Sequence, residues 1–325
     1  MELSDMIKKR GNKIMKQTGI VDIIIPTYRP DGRFIELLKK IKQQNFPIRH
    51  IHVINTQSER FPQEVKNIPG VIVTHITPSE FDHGATRDMA FSLSNASILV
   101  FMTQDAIPAD RETIGKLIET MYKSKRIAAA YARQIPSKEC DTIEKYTRRF
   151  NYPKESQIKG KEDINKLGIK TFFCSNVCAA YRREYYEKVG GFPRPTIFNE
   201  DMILAGKLVV EGYQIAYVAE AKVIHSHNYT GWQQFQRNFD LAVSQKEYPE
   251  VFSLVKAERE GIKLVKETAK LLKENRKLYL IPKLIYQSGC KYLGYCLGKN
   301  YKKMPLKLVK VCSMSSRYWG KRENL

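Results

Sequence analysis

Five short apolar runs alternating with amphipathic stretches constrain this chain more than any other feature. Residues 21–26 read Val-Asp-Ile-Ile-Ile-Pro, a β-branched run closed by proline, which is how a strand buried on both faces looks. Similar runs follow at 50–55, 71–76, 98–102 and 127–135. Between them, residues 31–44 place Phe34, Ile35, Leu37, Leu38 and Ile41 at helical spacing, with Asp31 available as a cap. Residues 84–95 and 111–123 read as two further helices. This alternation predicts an α/β domain whose mixed, mainly parallel, Rossmann-like sheet is flanked by helices. In such sheets ligands bind beyond the carboxyl ends of the strands, so the residues just after each run are the ones to inspect.

Downstream, residues 140–168 are polar and irregular and read as a surface excursion, with acceptor contact one use for it. Residues 171–181 return to a strand-like run, 200–212 read as a helix, and 214–225 as one or two strands. The composition then shifts. Of the formal net charge of +21, the segment 261–325 holds 16 Lys or Arg against 3 Glu, a net of +13. Apolar Leu280, Ile281, Leu284, Ile285, Tyr292, Leu293, Tyr295 and Leu297 interleave with these lysines. Such basic amphipathic helices suit an anionic membrane surface; packing on the domain or a homodimer contact would use the same pattern. Three regions are therefore expected: a basic N-terminal segment, 1–18; a catalytic domain, 19–255; and a basic helical extension, 256–325.

Residues 1–17 have no apolar core of a signal peptide, and no apolar stretch reaches the ~18 residues of a membrane span. The six cysteines are scattered and suggest no disulfide framework, so reduced cytosolic thiols are expected. Nucleic acid is not an expected partner, because the charge sits in the tail and no nucleic-acid motif appears.

Four segments carry candidate chemistry. Pro26, Thr27, Tyr28 and Arg29 follow the first strand and suit a nucleotide pocket, although strand-ending prolines are common. His83, Gly84 and Arg87 open a helix: glycine permits close backbone approach and the helix N-terminus and arginine favour a phosphate, while a capping turn is the plain alternative. Thr103, Gln104 and Asp105 end the fourth run, where a carboxylate is placed either to ligate a hard divalent cation or to cap a loop. Asn199, Glu200 and Asp201 start a helix and are followed by His225-Ser226-His227; one acid suits a general base and a histidine suits a metal.

The order Ile-Ile-Ile-Pro-Thr-Tyr, His-Gly-Ala-Thr-Arg, Phe-Met-Thr-Gln-Asp-Ala, Asn-Glu-Asp-Met and His-Ser-His resembles the family 2 glycosyltransferases of the GT-A fold, over residues 20–250. It is most similar to the bacterial rhamnosyltransferases, in which Gln-Asp-Ala replaces the more usual Asp-x-Asp. The resemblance implies that Asp105 matches the second acid of that motif as a metal and diphosphate ligand. Thr103 takes the first acid's place, leaving one carboxylate fewer and giving His225 more weight. Asn55 stands where many relatives carry a base-contacting aspartate, and Arg87 matches a basic position near the nucleotide. Asp201 matches the catalytic base, with Glu200 positioning the acceptor. Trp232 is available to stack on a sugar or to sit in the core.

The resemblance thus implies an inverting displacement assisted by Mg²⁺ or Mn²⁺. The donor is a nucleotide diphosphate sugar, dTDP-L-rhamnose by the resemblance. The expected acceptor is a lipid-linked saccharide of bacterial surface polysaccharide, with the enzyme peripheral on the cytoplasmic face of the membrane. Another nucleotide sugar, such as a UDP-hexose or UDP-N-acetylhexosamine, is the alternative donor. A nucleotidyltransferase would carry a glycine-rich, lysine-bearing loop after its first strand, and residues 26–31 are not one; a non-catalytic binding module would not need Asp201.

Overall fold

The computed structural model describes residues 20–255 and 258–322. The basic segment expected at 1–18 lies outside the described residues. The first half builds β1 (Val21–Tyr28), α1 (Gly32–Lys42), β2 (Ile51–Thr56), β3 (Val71–Ile76), α2 (His83–Ser92), β4 (Ile98–Met102), β5 (Ile107–Pro108), α3 (Thr113–Tyr122) and β6 (Ile127–Ile135). Then come α4 (Thr142–Asn151), β7 (Gln157–Lys159), α5 (Ile164–Leu167), β8 (Cys178–Arg182), α6 (Arg183–Lys188), α7 (Glu200–Val210), β9 (Gln214–Ile224), α8 (Gly231–Glu247) and α9 (Pro249–Phe252). The extension forms α10 (Glu258–Glu274), α11 (Ile281–Lys299), α12 (Leu306–Cys312) and α13 (Ser316–Arg322).

One sheet runs in the order β3-β2-β1-β4-β8-β6-β9-β5, with β7 also paired to β9. The block β3-β2-β1-β4 is parallel, as is β6 with β9. β8 runs antiparallel to β4 and β6, which makes the sheet mixed, as expected. The reason is where the chain re-enters: Cys178 pairs with Met102, so β8 starts at the carboxyl end of β4, where the excursion after β6 returns. Apolar clusters cover both sheet faces, one built on Ile23, Ile25, Leu37, Val100 and Leu117, the other on Ile24, Phe101, Tyr181, Phe192 and Leu204. Burial on both sides explains why β1, β2 and β4 read as continuous apolar runs.

Three expectations change. β1 continues past Pro26 to Tyr28. Pairing with β4 stops at Ile24, so beyond it β1 is bonded on the β2 side alone and an imino acid costs no ladder bond on the other. The 140–168 excursion contains a helix, α4, whose buried residues are only Ile143 and Tyr146. Most of the 171–181 run is not strand: a turn at Gly168–Phe172 buries Thr171 and Phe172, and a loop carries Ser175 and Asn176 to the sheet's carboxyl edge.

The extension is packed on the domain. On α11, a Cβ at Gly294 would lie 2.1 Å from the Phe235 carbonyl oxygen, and one at Gly298 would lie 2.3 Å from that of Phe239. The backbones of α8 and α11 therefore touch, which only glycine permits. Among the described residues no helix is long and apolar enough to cross a membrane, and all six cysteines are free thiols.

Candidate active site

Asp105 follows β4, while His225 and His227 follow β9, and the fold brings the three together at the carboxyl edge of the sheet. His225 Nε2 lies 3.6 Å from Asp105 Oδ1, and His227 Nε2 lies 3.4 Å from Asp105 Oδ2. One carboxylate and two imidazole nitrogens within 4.8 Å of one another are a donor set that could hold a borderline divalent cation such as Mn²⁺. The outer shell supports the fit. Gln134 Oε1 lies 3.0 Å from His225 Nδ1, which assigns the proton to Nδ1 and turns the Nε2 lone pair toward Asp105. Burial, with the field of Arg148 added, pushes His225 well below its ordinary value, so it stays in the neutral form that binds metal. Thr103 Oγ1, two residues before Asp105, is buried without a hydrogen-bond partner among the described residues. Its hydroxyl is an orphan that a bound group would satisfy.

A second carboxylate site lies at the start of α7. Asp201 Oδ2 accepts from the Asn176 backbone N–H at 3.0 Å, and Oδ1 accepts from the Met202 N–H at 2.8 Å. Glu200 Oε1 accepts from Asn176 Nδ2 at 3.1 Å and pairs with Arg87 Nη1 at 3.2 Å. Two adjacent acids, Glu200 buried and Asp201 half-buried, are thus pushed apart. Burial, reinforced by the Glu200 anion, raises Asp201 to about 7. Burial also opposes ionisation of Glu200, but Arg87, His83 and the Asn176 hydrogen bond outweigh it and hold Glu200 below its ordinary value. The sequence places both acids at a helix N-terminus, where carboxylates favour ionisation; here that holds for Glu200, while Asp201 is poised near neutrality, as a general base should be.

Several sites read from the sequence have other tasks. Gly84 does not open the backbone to a phosphate, because a Cβ there would lie 1.9 Å from the Pro193 carbonyl oxygen. The N–H groups at that helix start already bond Asp82 Oδ1, at 3.0 Å from Gly84 and 2.8 Å from Ala85. Arg87 is buried, paired with Glu200 and bonded to the His83 carbonyl at 2.8 Å, while its Nε has no hydrogen-bond partner among the described residues; the guanidinium is thus engaged with the acid pair. Burial lowers the His83 imidazole below its ordinary value. Asn55 is 1% exposed and sits between Thr27 Oγ1 at 3.0 Å and His75 Nδ1 at 3.1 Å; it braces the strand ends behind the pocket surface. Asn199 is also buried, and its amide donates to Ser244 Oγ at 2.7 Å, tying α7 to α8 instead of facing a ligand.

Others stay at the surface of the cleft. The Tyr28 N–H donates to Gln104 Oε1 at 2.9 Å, and Gln104 Nε2 donates to the Tyr28 carbonyl at 3.1 Å, locking the ends of β1 and β4 together. Tyr28 is 40% exposed, with the Arg29 guanidinium 5.2 Å from its ring centroid. Pro26 is partly exposed beside them. Trp232 is not a core residue: it is 49% exposed, stacked 4.9 Å from Phe235. Gln134, Asn176 and His227 were not singled out as site residues from the sequence; only the His-Ser-His spacing pointed to the last.

A second cluster, Asp22, His50 and His52, sits at the opposite, amino end of the strands. Asp22 there is occupied by Arg49 Nε at 3.0 Å and Ser94 Oγ at 2.7 Å, and a guanidinium in that place opposes a cation.

Residues 22–190 match the glycosyl transferase family 2 model. The chain is 38% identical over 303 residues to the O-antigen chain rhamnosyltransferase RfbN of Salmonella typhimurium, covering 92% of this chain and 96% of that one. The chain belongs to glycosyltransferase family 2. A second relative, the O-antigen chain rhamnosyltransferase WbaN of Salmonella anatum, is also 38% identical, over 92% of this glycosyltransferase and 95% of its own length. Among solved structures, the mannosyltransferase PcManGT of Pyrobaculum calidifontis, in complex with GDP-Man and Mn²⁺, aligns with TM-score 0.58 at 14% identity, over 93% of this chain and 98% of that one. Residues 1–349 of S. aureus TarS in complex with UDP-GlcNAc align with TM-score 0.50 at 13% identity, over 87% and 91%. At such identities these structures establish the shared GT-A architecture.

Proposed function

We propose that this glycosyltransferase transfers L-rhamnose from dTDP-L-rhamnose, with inversion, to a hydroxyl of a lipid-linked saccharide in bacterial surface polysaccharide synthesis. The observation that carries the sugar is the 38% identity, across 92% of the chain, to two O-antigen chain rhamnosyltransferases.

In this reading Asp105, His225 and His227 hold Mg²⁺ or Mn²⁺, whose charge would offset the negative charge growing on the departing diphosphate. Gln134 keeps His225 in the ligating tautomer. Tyr28, Arg29 and Gln104 line the nucleotide side, and the Thr103 hydroxyl faces the bound donor. Asp201 takes the proton from the acceptor hydroxyl as that oxygen attacks the anomeric carbon opposite the nucleotide. Glu200 stays ionised beside it, keeping Asp201 basic enough to accept the proton. Trp232 offers its exposed face to a sugar ring.

The extension supports placement on the cytoplasmic face of the membrane. Ile285, Tyr286, Tyr292 and Leu293 of α11 are exposed, on a segment rich in lysine. An outward apolar face with clustered positive charge fits an anionic lipid interface.

The test is a panel of nucleotide sugars, assayed for binding and turnover with and without Mn²⁺ or Mg²⁺. The proposal expects metal-dependent use of dTDP-L-rhamnose alone. Turnover of a UDP-hexose in its place would remove the donor assignment, and metal-independent turnover would remove the role given to Asp105, His225 and His227.

A further inference from the structure

Lys159, at the end of β7, carries an ammonium enclosed in the fold. It is 2% exposed, and its Nζ lies 5.0 Å from the ring centroid of Tyr131 and 5.9 Å from that of Phe173. No carboxylate pairs with it among the described residues, and burial lowers it to about 7. A buried lysine without a counter-ion carries a desolvation cost that an apolar side chain of similar length does not. Its partners are three oxygens. Nζ donates to the Tyr131 hydroxyl at 3.1 Å, to the Lys170 carbonyl at 2.8 Å and to the Phe173 carbonyl at 2.6 Å. These bonds use every N–H of the ammonium. A neutral amine keeps two N–H groups for the carbonyls while the Tyr131 hydroxyl turns to donate, so the hold on the main chain survives deprotonation.

The two carbonyls belong to the segment that leads to the acid pair. Lys170 lies in the turn Gly168–Phe172, and Phe173 opens a stretch, 173–177, without regular secondary structure. Three residues after Phe173, the Asn176 N–H meets Asp201 Oδ2 and the Asn176 side-chain amide meets Glu200 Oε1. Asn176 is tied from the sheet as well, since the Tyr181 hydroxyl donates to its Oδ1 at 2.9 Å. Lys159 supplies hydrogen bonds on the upstream side of the same loop.

We propose that Lys159 is a positioning residue: by holding the carbonyls of Lys170 and Phe173 it keeps the Asn176 N–H on the Asp201 carboxylate. Its consequence for turnover rests on the reading of Asp201 as the base, but the hold itself is tested without turnover.

The experiment compares the full chain as wild type, Lys159→Met and Lys159→Gln. Hydrogen exchange at the Asn176 amide should be faster by about tenfold or more in Lys159→Met, as expected when a hydrogen bond to a charged group is loosened. Lys159→Gln keeps two N–H donors for the two carbonyls and should lie between. A hydrogen bond to the ionised form favours it, so loosening the Asn176 contact raises Asp201. The rising limb of kcat/KM should therefore move to higher pH in Lys159→Met, with kcat at neutral pH lower by about tenfold and donor Kd within about twofold of wild type. A merely structural lysine predicts a lower melting temperature alone. Unchanged Asn176 exchange and an unmoved limb in the folded fraction of both variants would overturn the proposal; if the methionine variant does not fold, the glutamine variant is read in the same way. Faster Asn176 exchange with an unmoved limb would sustain the hold and count against Asp201 as the base.

Discussion

Gln134 Oε1 lies 3.0 Å from Nδ1 of His225, and the same Gln134 donates through Nε2 to Ser175 Oγ at 2.9 Å. Ser175 precedes Asn176, whose backbone N–H holds Asp201. One amide therefore joins the proposed metal ligands to the loop that positions the proposed base. Gln134→Ala should weaken Mn²⁺ binding by roughly 10–100-fold, the usual cost of losing an outer-shell partner. Calorimetric Mn²⁺ titration checks this; unchanged affinity would mean that the hydrogen bond does not orient His225.

The split between Glu200 and Asp201 predicts a pH profile. Asp201 is raised by burial and by Glu200, and it faces Arg87, Cys174, Tyr152 and Tyr181 besides. The ionised carboxylate is the active form, so kcat/KM should rise through a limb near pH 7 and level off above it. Glu200→Gln removes the neighbouring anion and should move that limb to lower pH. A limb that stays in place, or moves upward, would show that another group controls it.

Arg87 balances the buried Glu200 charge, so Arg87→Ala should destabilise the fold by about 3–5 kcal/mol, the cost of an uncompensated buried ion. Donor affinity of the folded fraction should remain within about twofold, because the guanidinium faces Glu200 and not the phosphates. Denaturant unfolding together with donor titration separates the two effects. Lost donor affinity at unchanged stability would restore the phosphate role suggested by the sequence.

The outward face of α11 makes a separate prediction. Ile285→Glu combined with Leu293→Glu should lower binding to vesicles containing about one-third anionic lipid by tenfold or more, since each buried apolar side chain is worth roughly 1.5–3 kcal/mol. Turnover on a water-soluble acceptor should be unchanged. Equal co-sedimentation of wild type and variant would remove this face from the membrane contact.

The strands were legible as short apolar runs between helical patterns, and β3, β4 and β6 coincide with residues 71–76, 98–102 and 127–135; only β4 of these is buried throughout. Helix α4 was hidden because only Ile143 and Tyr146 are buried among Glu144, Lys145, Arg148 and Arg149. The cluster of Asp105, His225 and His227, proposed to hold the metal, was readable through Asp105 and the His-Ser-His spacing, since each follows a strand. The contacts of Gly84 and Arg87 gave no local signal: their partners, Pro193 and Glu200, lie more than a hundred residues away, and local pattern carries no such distance. Gln134 gave no signal, being one polar residue near the end of a strand.

The measurement that bears most directly on the account is single-turnover transfer by Asp201→Asn with dTDP-L-rhamnose, Mn²⁺ and acceptor, alongside the donor Kd. The account predicts a donor Kd within about twofold of wild type and transfer slower by about 10²–10⁴-fold, the range expected when a positioned general base is lost. Transfer at the wild-type rate by a variant that binds donor normally would contradict the assignment of Asp201 and the displacement built on it.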